Sequence, residues 1–145
     1  MTLAATLAER YPDGACFYLE GDLGAGKTIF AKGIASAYGV DPSQVVSPTF
    51  ALVNRYSGGH PTVFHVDLYR IESERELIEL GLEEIEDSTA ALIVEWPEKL
   101  GPYRREDGIV VELEVLDNDS RQLRIKEPDR ETTQGNHSPG SNSFR

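Results

Sequence analysis

The chain has 145 residues, 39% of them hydrophobic and 27% charged, which suits one globular domain with its own core. Its 25 acidic and 14 basic side chains leave a formal net charge of −11, a balance that repels nucleic acid, because RNA or DNA binding needs clustered Lys and Arg to release counterions. The single cysteine, Cys16, excludes an internal disulfide and a cysteine-based zinc site, and no secretory signal or apolar run of spanning length is visible, so the expected location is cytoplasmic with no membrane association.

In chain order, Thr2 to Arg10 is rich in Ala and Leu and predicts a short helix, which the Pro12-Asp13-Gly14 turn ends. Ala15 to Leu19 is an apolar, aromatic-rich run of strand length. Thr28 to Tyr38 carries Phe30, Ile34 and Tyr38 at i, i+4 and i+8, a helical stripe that stops at Gly39. Ala51 to Tyr56 and Thr62 to Leu68 predict strands, separated by Ser57-Gly58-Gly59. Glu72 to Asp87 is helical in propensity but broken at Gly81, and Ala90 to Val94 is a continuous apolar run of the buried-strand kind. Pro97 to Leu100 predicts a helical turn stopped by Gly101-Pro102. Ile109 to Leu116 and Arg121 to Lys126 alternate around the turn Asp117-Asn118-Asp119-Ser120 and predict an antiparallel hairpin. Val111, Leu113 and Val115 are expected on its apolar face. From Pro128 onward the chain lacks the apolar content to offset the entropy of ordering. The expected organisation is therefore a single α/β domain over 1–127, its mixed parallel and antiparallel central sheet flanked by helices, followed by a disordered tail over 128–145.

Between the first strand and the helix that follows lies Gly21-Asp-Leu-Gly-Ala-Gly26-Lys27-Thr28. This is the phosphate-binding pattern G-x-x-x-x-G-K-[ST] in the strand–turn–helix context it requires. Gly24 and Gly26 have no Cβ, so successive N–H groups can point into one concavity, and the helix N-terminus adds its own free N–H groups and dipole. Leu23, Gly24, Ala25, Gly26, Lys27 and Thr28 are thus the expected cradle for a nucleoside triphosphate. Lys27 would reach the outer phosphates and the Thr28 hydroxyl would supply a hard oxygen for Mg²⁺.

Hydrolysis further needs a carboxylate for the metal and a group that senses the γ-phosphate. Asp67 and Glu95 each follow an apolar strand, and Thr49 sits in the loop Ser47-Pro48-Thr49-Phe50, where a hydroxyl could act as a switch. Taken alone, a strand-ending carboxylate is as often a loop cap, Thr49 is ordinary turn chemistry, and Trp96 is core or rim packing. His65, within a strand, is taken as packing or a hydrogen bond. The run Glu72, Glu74, Glu76, Glu79, Glu83, Glu84, Glu86, Asp87 is most simply a solvated helix face, with partner docking as the sharper alternative.

Four blocks in this order and spacing resemble the bacterial TsaE (YjeE) family: Gly21 to Thr28, Ser47 to Phe50, His65-Val-Asp-Leu-Tyr-Arg70 and Val94-Glu-Trp-Pro-Glu98. The likeness runs from about residue 2 to about residue 126. It implies a single-domain, Mg²⁺-dependent phosphate-loop ATPase that supports threonylcarbamoylation of adenosine 37 in tRNAs reading ANN codons. Its implied partners are the TsaB and TsaD proteins, with tRNA handled only indirectly through that complex. On this resemblance Thr28, Glu95 and Asp67 are the metal-side residues, and Lys27, Thr49, Asp67 and Glu95 the catalytic ones. Trp96 and Arg121 join the loop at the nucleotide. An Asn-Lys-x-Asp base reader of GTPases is absent from the sequence. The family usually carries an extended segment before its first helix, and here Met1-Thr2 stands almost at the helix, so that wall of the pocket is expected to be thin. Two other functions share the phosphate loop: a small-molecule kinase, and a nucleotide-dependent binding module without significant hydrolysis.

Overall fold

The computed structural model describes residues 3–22, 24–46, 48, 52–86, 90–128 and 141–144, the last by backbone path alone. Four parallel strands form the middle of the sheet: β1 (Cys16–Glu20), β3 (Thr62–Asp67), β4 (Ala90–Glu95) and β5 (Ile109–Val115). Antiparallel strands flank them: β2 (Val53–Tyr56) beside β3, then β6 (Arg121–Lys126) beside β5, and β7 (Ser141–Phe144) beside β6. The order across the sheet is β2-β3-β4-β1-β5-β6-β7.

Both faces of the central strands are covered, which is why their sequences read as unbroken apolar runs. In β1 the side chains alternate, as the pleat demands. Phe17 and Leu19 join one core with Leu7, Phe30, Ile34, Tyr38, Ile93 and Val111 beneath α1 (Leu3–Glu9) and α2 (Lys27–Ala37). Cys16 and Tyr18 join the other with Val66, Leu68, Leu77, Leu92 and Val94, covered by α3 (Glu74–Glu79) and α4 (Leu82–Glu86). Each such side chain contributes about 1.5–3 kcal/mol when fully removed from water, so the four buried residues of β1 alone outweigh any cap or surface ion pair in fixing the fold. The stripe Phe30, Ile34, Tyr38 is buried as its spacing predicts, and Cys16 is a buried core residue.

Gly81 adopts φ 74° and separates α3 from α4, which is the break expected there. The acidic residues of α3 and the start of α4 face solvent. Gly101 kinks its segment at φ 54°, ψ −125°, but the 3₁₀ turns continue through Pro97–Tyr103 and do not end at Gly101. The hairpin differs in one respect from its alternation. Val111 and Leu113 are buried, whereas Val115, the last residue of β5, is 44% exposed at the end of the strand. Ser141–Phe144 pairs with β6 as an edge strand, inside the segment expected to be a disordered tail. Residues 129–140 and 145 lie outside the described residues.

Candidate functional site

Register puts the chemistry at one edge of the sheet. In the parallel ladders Leu19 stands opposite Glu95, and Glu95 opposite Asp67, so the tips of β1, β4 and β3 are level. Arg121 opens β6 opposite Val115, the last residue of β5, and so returns to the same edge. Ligands of open α/β sheets bind beyond these carboxyl-terminal strand ends. Here the edge holds a cleft of about 390 Å³ lined by Gly24, Gly26, Lys27, Thr28, Ile29, Asp67, Tyr69, Glu95, Trp96 and Arg121.

The loop that enters α2 is built to leave donors free. Gly26 is the N-cap at φ 101°, ψ 18°, a left-handed conformation that suits glycine, and it offers no side chain to cap the helix. The first-turn N–H groups of α2 therefore face the cleft with the positive end of the helix dipole. Ala25 is the loop residue set apart: it is buried, and its N–H donates to the Asp22 carbonyl at 3.1 Å.

Lys27 is 5% exposed. Its Nζ donates to the Gly21 carbonyl at 2.7 Å and lies 3.7 Å from the centre of the Trp96 ring. Burial lowers the Lys27 pKa from its usual 10.5, while the negative charges of Glu95, Glu98, Asp67 and Asp22 pull it back upward. A buried ammonium resting on a carbonyl and an aromatic face is a cation poised for a stronger anionic partner. Trp96 itself has φ 60°, ψ 50°, left-handed backbone for a bulky residue, which costs roughly 1–2 kcal/mol. That strain turns the indole from the tip of β4 over Lys27, and the Tyr69 ring packs on it with centroids 4.9 Å apart.

The two carboxylates are nearly sealed, Asp67 at 5% and Glu95 at 4% exposure. Tyr69 N–H donates to Asp67 Oδ1 at 2.9 Å, a turn bond within the chain's own next residues. Glu95 Oε2 instead meets His65 Nε2 at 2.6 Å, and His65 Nδ1 meets the Tyr56 hydroxyl at 2.8 Å. Val63, His65 and Asp67 share one face of β3 by the two-residue pleat, the same face that carries Tyr56 and Glu95 in register.

A family model, "Threonylcarbamoyl adenosine biosynthesis protein TsaE", matches residues 1–123. The chain belongs to the TsaE family. Among its relatives, the tRNA threonylcarbamoyladenosine biosynthesis protein TsaE of Rickettsia conorii is 38% identical over 132 residues, covering 91% of this chain and 75% of its own. The Nostoc protein of that name is 38% identical over 128 residues (86% and 78% covered), and the Aquifex aeolicus one 39% over 126 residues (85% of each). In three dimensions the chain is similar to YdiB of Bacillus subtilis, with a TM-score of 0.65 and 25% identity over 86% of this chain and 78% of that one. The TsaE family takes part in tRNA threonylcarbamoyladenosine biosynthesis. The expected fold, a phosphate-loop α/β domain with a mixed sheet, is the fold this TsaE family member has.

Of the residues singled out from sequence, Gly24, Gly26, Lys27, Thr28, Asp67, Glu95, Trp96 and Arg121 line one cleft. Leu23 and Thr49 lie outside the described residues. Arg121, the match that depends on turn length, reaches the loop: its Nε is 3.7 Å from the position a Cβ on Gly26 would take. Ile29 and Tyr69, not singled out as site residues from sequence, also line the cleft. His65, expected to pack or to hydrogen-bond, does hydrogen-bond, and it joins Tyr56 to Glu95. The i, i+2 spacing of His65 and Asp67 on an apolar strand was the available signal. No helix among the described residues is long and apolar enough to cross a membrane.

Proposed function

We propose that this TsaE family member is a Mg²⁺-dependent ATPase whose nucleotide cycle acts on the TsaB–TsaD complex during tRNA threonylcarbamoylation. The observation that supports it is the convergence of Lys27 and Thr28, from the head of α2, with Asp67 and Glu95, from two strand tips, on one cleft. The donor set suits the metal. Mg²⁺ takes hard oxygens, often one or two carboxylates and a hydroxyl, and leaves its other positions to water and phosphate.

In this reading the ring of main-chain N–H groups around Gly24, Gly26 and Thr28 binds the phosphates, and Lys27 leaves the Gly21 carbonyl to neutralise their outer charge. Thr28 and a carboxylate, Glu95 assisted by Asp67, hold the metal, which when bound would neutralise charge on the β- and γ-phosphates. Asp67 or Glu95 orients the water. Trp96 closes the cleft over Lys27, and Arg121 adds a cation from the far side. Thr49 is assigned to γ-phosphate sensing by its place in the family motif. Turnover of the isolated chain is expected to be slow, since an arginine finger supplied by a partner is worth about 10³-fold or more.

Calorimetry and thermal melting with ATP and Mg²⁺ test the site, where absence of both heat and a melting shift sinks it. Phosphate release measured with and without TsaB–TsaD tests the coupling. Rapid hydrolysis by the chain alone, unchanged by those proteins, would refute the partnership.

A further inference from the structure

Behind the cleft lies a buried chain of polar contacts. His65 is fully buried between Glu95 Oε2, 2.6 Å from its Nε2, and the Tyr56 hydroxyl, 2.8 Å from its Nδ1. The Tyr56 oxygen is also 3.1 Å from the carbonyl of Val46, the residue before Ser47-Pro48-Thr49-Phe50. Leu52, just past that segment, is tied to the second carboxylate position: Asp67 N–H donates to the Leu52 carbonyl at 2.9 Å. Val46 is thus linked to Glu95 only through Tyr56 and His65, whereas Leu52 meets the backbone of Asp67 directly.

The contacts run in one line. The Tyr56 hydroxyl donates its one proton to the Val46 carbonyl, and the same oxygen stands 2.8 Å from His65 Nδ1. On its other side the ring meets Glu95 through Nε2. Deleting the Tyr56 hydroxyl therefore takes from His65 its contact on the side away from the carboxylate, and with it the link from Glu95 to Val46.

We propose that Tyr56 and His65 are positioning residues, a relay that makes the setting of the Glu95 carboxylate depend on the place of the Val46 carbonyl. Its consequence for turnover rests on the reading of Glu95 as a metal-side residue, but the coupling itself is a property of the ligand-free chain. Outer partners of metal-holding side chains change metal affinity or activity by about 10–100-fold when removed. Tyr56→Phe deletes a single oxygen that touches neither carboxylate. It should raise the Mg²⁺ needed for half-maximal ATP hydrolysis by about tenfold or more, on that scale, while the KM for ATP stays within about twofold. His65→Gln, whose amide can donate in place of Nε2–H, should recover much of what His65→Ala loses.

A second arm needs neither metal nor nucleotide. Hydrogen exchange of the peptide spanning residues 45–52 should quicken by about twofold or more in both Tyr56→Phe and Glu95→Ala, the lower range of coupling between contacting residues. A Mg²⁺ response of Tyr56→Phe superimposable on wild type overturns the relay, as do equal losses in His65→Gln and His65→Ala. So does unchanged exchange over 45–52 in Glu95→Ala. If the wild-type chain neither binds nor hydrolyses ATP, the functional reading falls, and the exchange arm alone decides the relay.

Discussion

Asp67 and Glu95 end adjacent parallel strands at the same level, yet they are secured by different means. Asp67 accepts the Tyr69 N–H two residues on, a local turn bond. Glu95 is secured by side chains from β3 and β2, through His65 and Tyr56. The turn bond on Asp67 depends only on its own next residues. The contact on Glu95 runs through His65 and Tyr56 to the Val46 carbonyl, so a change at Val46 is felt at the carboxylate.

Removing either charge should have the largest effect. Asp67→Asn and Glu95→Gln are each expected to cut ATP hydrolysis by about 10²–10³-fold, the usual loss when a positioned electrostatic group goes, as read by steady-state phosphate release. The contrast predicts that only the Glu95 defect is partly reproduced by His65→Ala. An Asp67→Asn variant as slow to turn over as Glu95→Gln, yet unchanged in Mg²⁺ response, would assign the metal to Glu95.

Trp96 comes next. Trp96→Ala takes an aromatic face from a buried ammonium, an interaction worth about 2 kcal/mol when desolvated, and should lower stability in urea titrations by at least that amount. Trp96→Gly should be about 1 kcal/mol less damaging than Ala, because glycine accepts the left-handed backbone without cost. A glycine variant less stable than the alanine one would refute the strain.

Lys27 adds a pH dependence of smaller size. Its ammonium is held below 10.5 by burial, so between that lowered value and 10.5 the unfolded chain binds more protons at this site than the folded one. Stability contributed by this site therefore rises with pH through that window. Denaturant titrations of wild type and Lys27→Met should show the difference moving in favour of wild type as pH climbs toward 10.5, and parallel curves would contradict this. The smallest effect is expected at the exposed Arg75–Glu79 pair of α3, 3.6 Å apart. Arg75→Ala should change stability by less than about 0.5 kcal/mol, which checks that the cleft's charges, and not charge in general, matter.

The α/β fold and most of the cleft are legible in the sequence for local reasons. A strand, a glycine turn and a helix are contiguous in Gly21 to Thr28, and Asp67 and Glu95 announce themselves as acidic ends of apolar runs. What local pattern does not carry is register. Tyr56, His65 and Glu95 become neighbours only once β2 pairs antiparallel with β3 and β3 pairs parallel with β4. The left-handed turn at Trp96 is equally invisible, because Trp-Pro predicts extended backbone and the strain is imposed by packing. Val115 shows the opposite failure: a clean alternation runs to the end of the strand, where the last apolar residue is no longer buried.

The turn over residues 116–120, closed by Leu116 N–H on the Ser120 carbonyl at 2.8 Å, sets where Arg121 emerges. Consecutive residues of a strand point to opposite sides, so one inserted residue would carry the guanidinium from beside Gly26 to the far surface of the sheet. That short connection works as a ruler, and its length is under tighter constraint than its exposed, polar composition suggests.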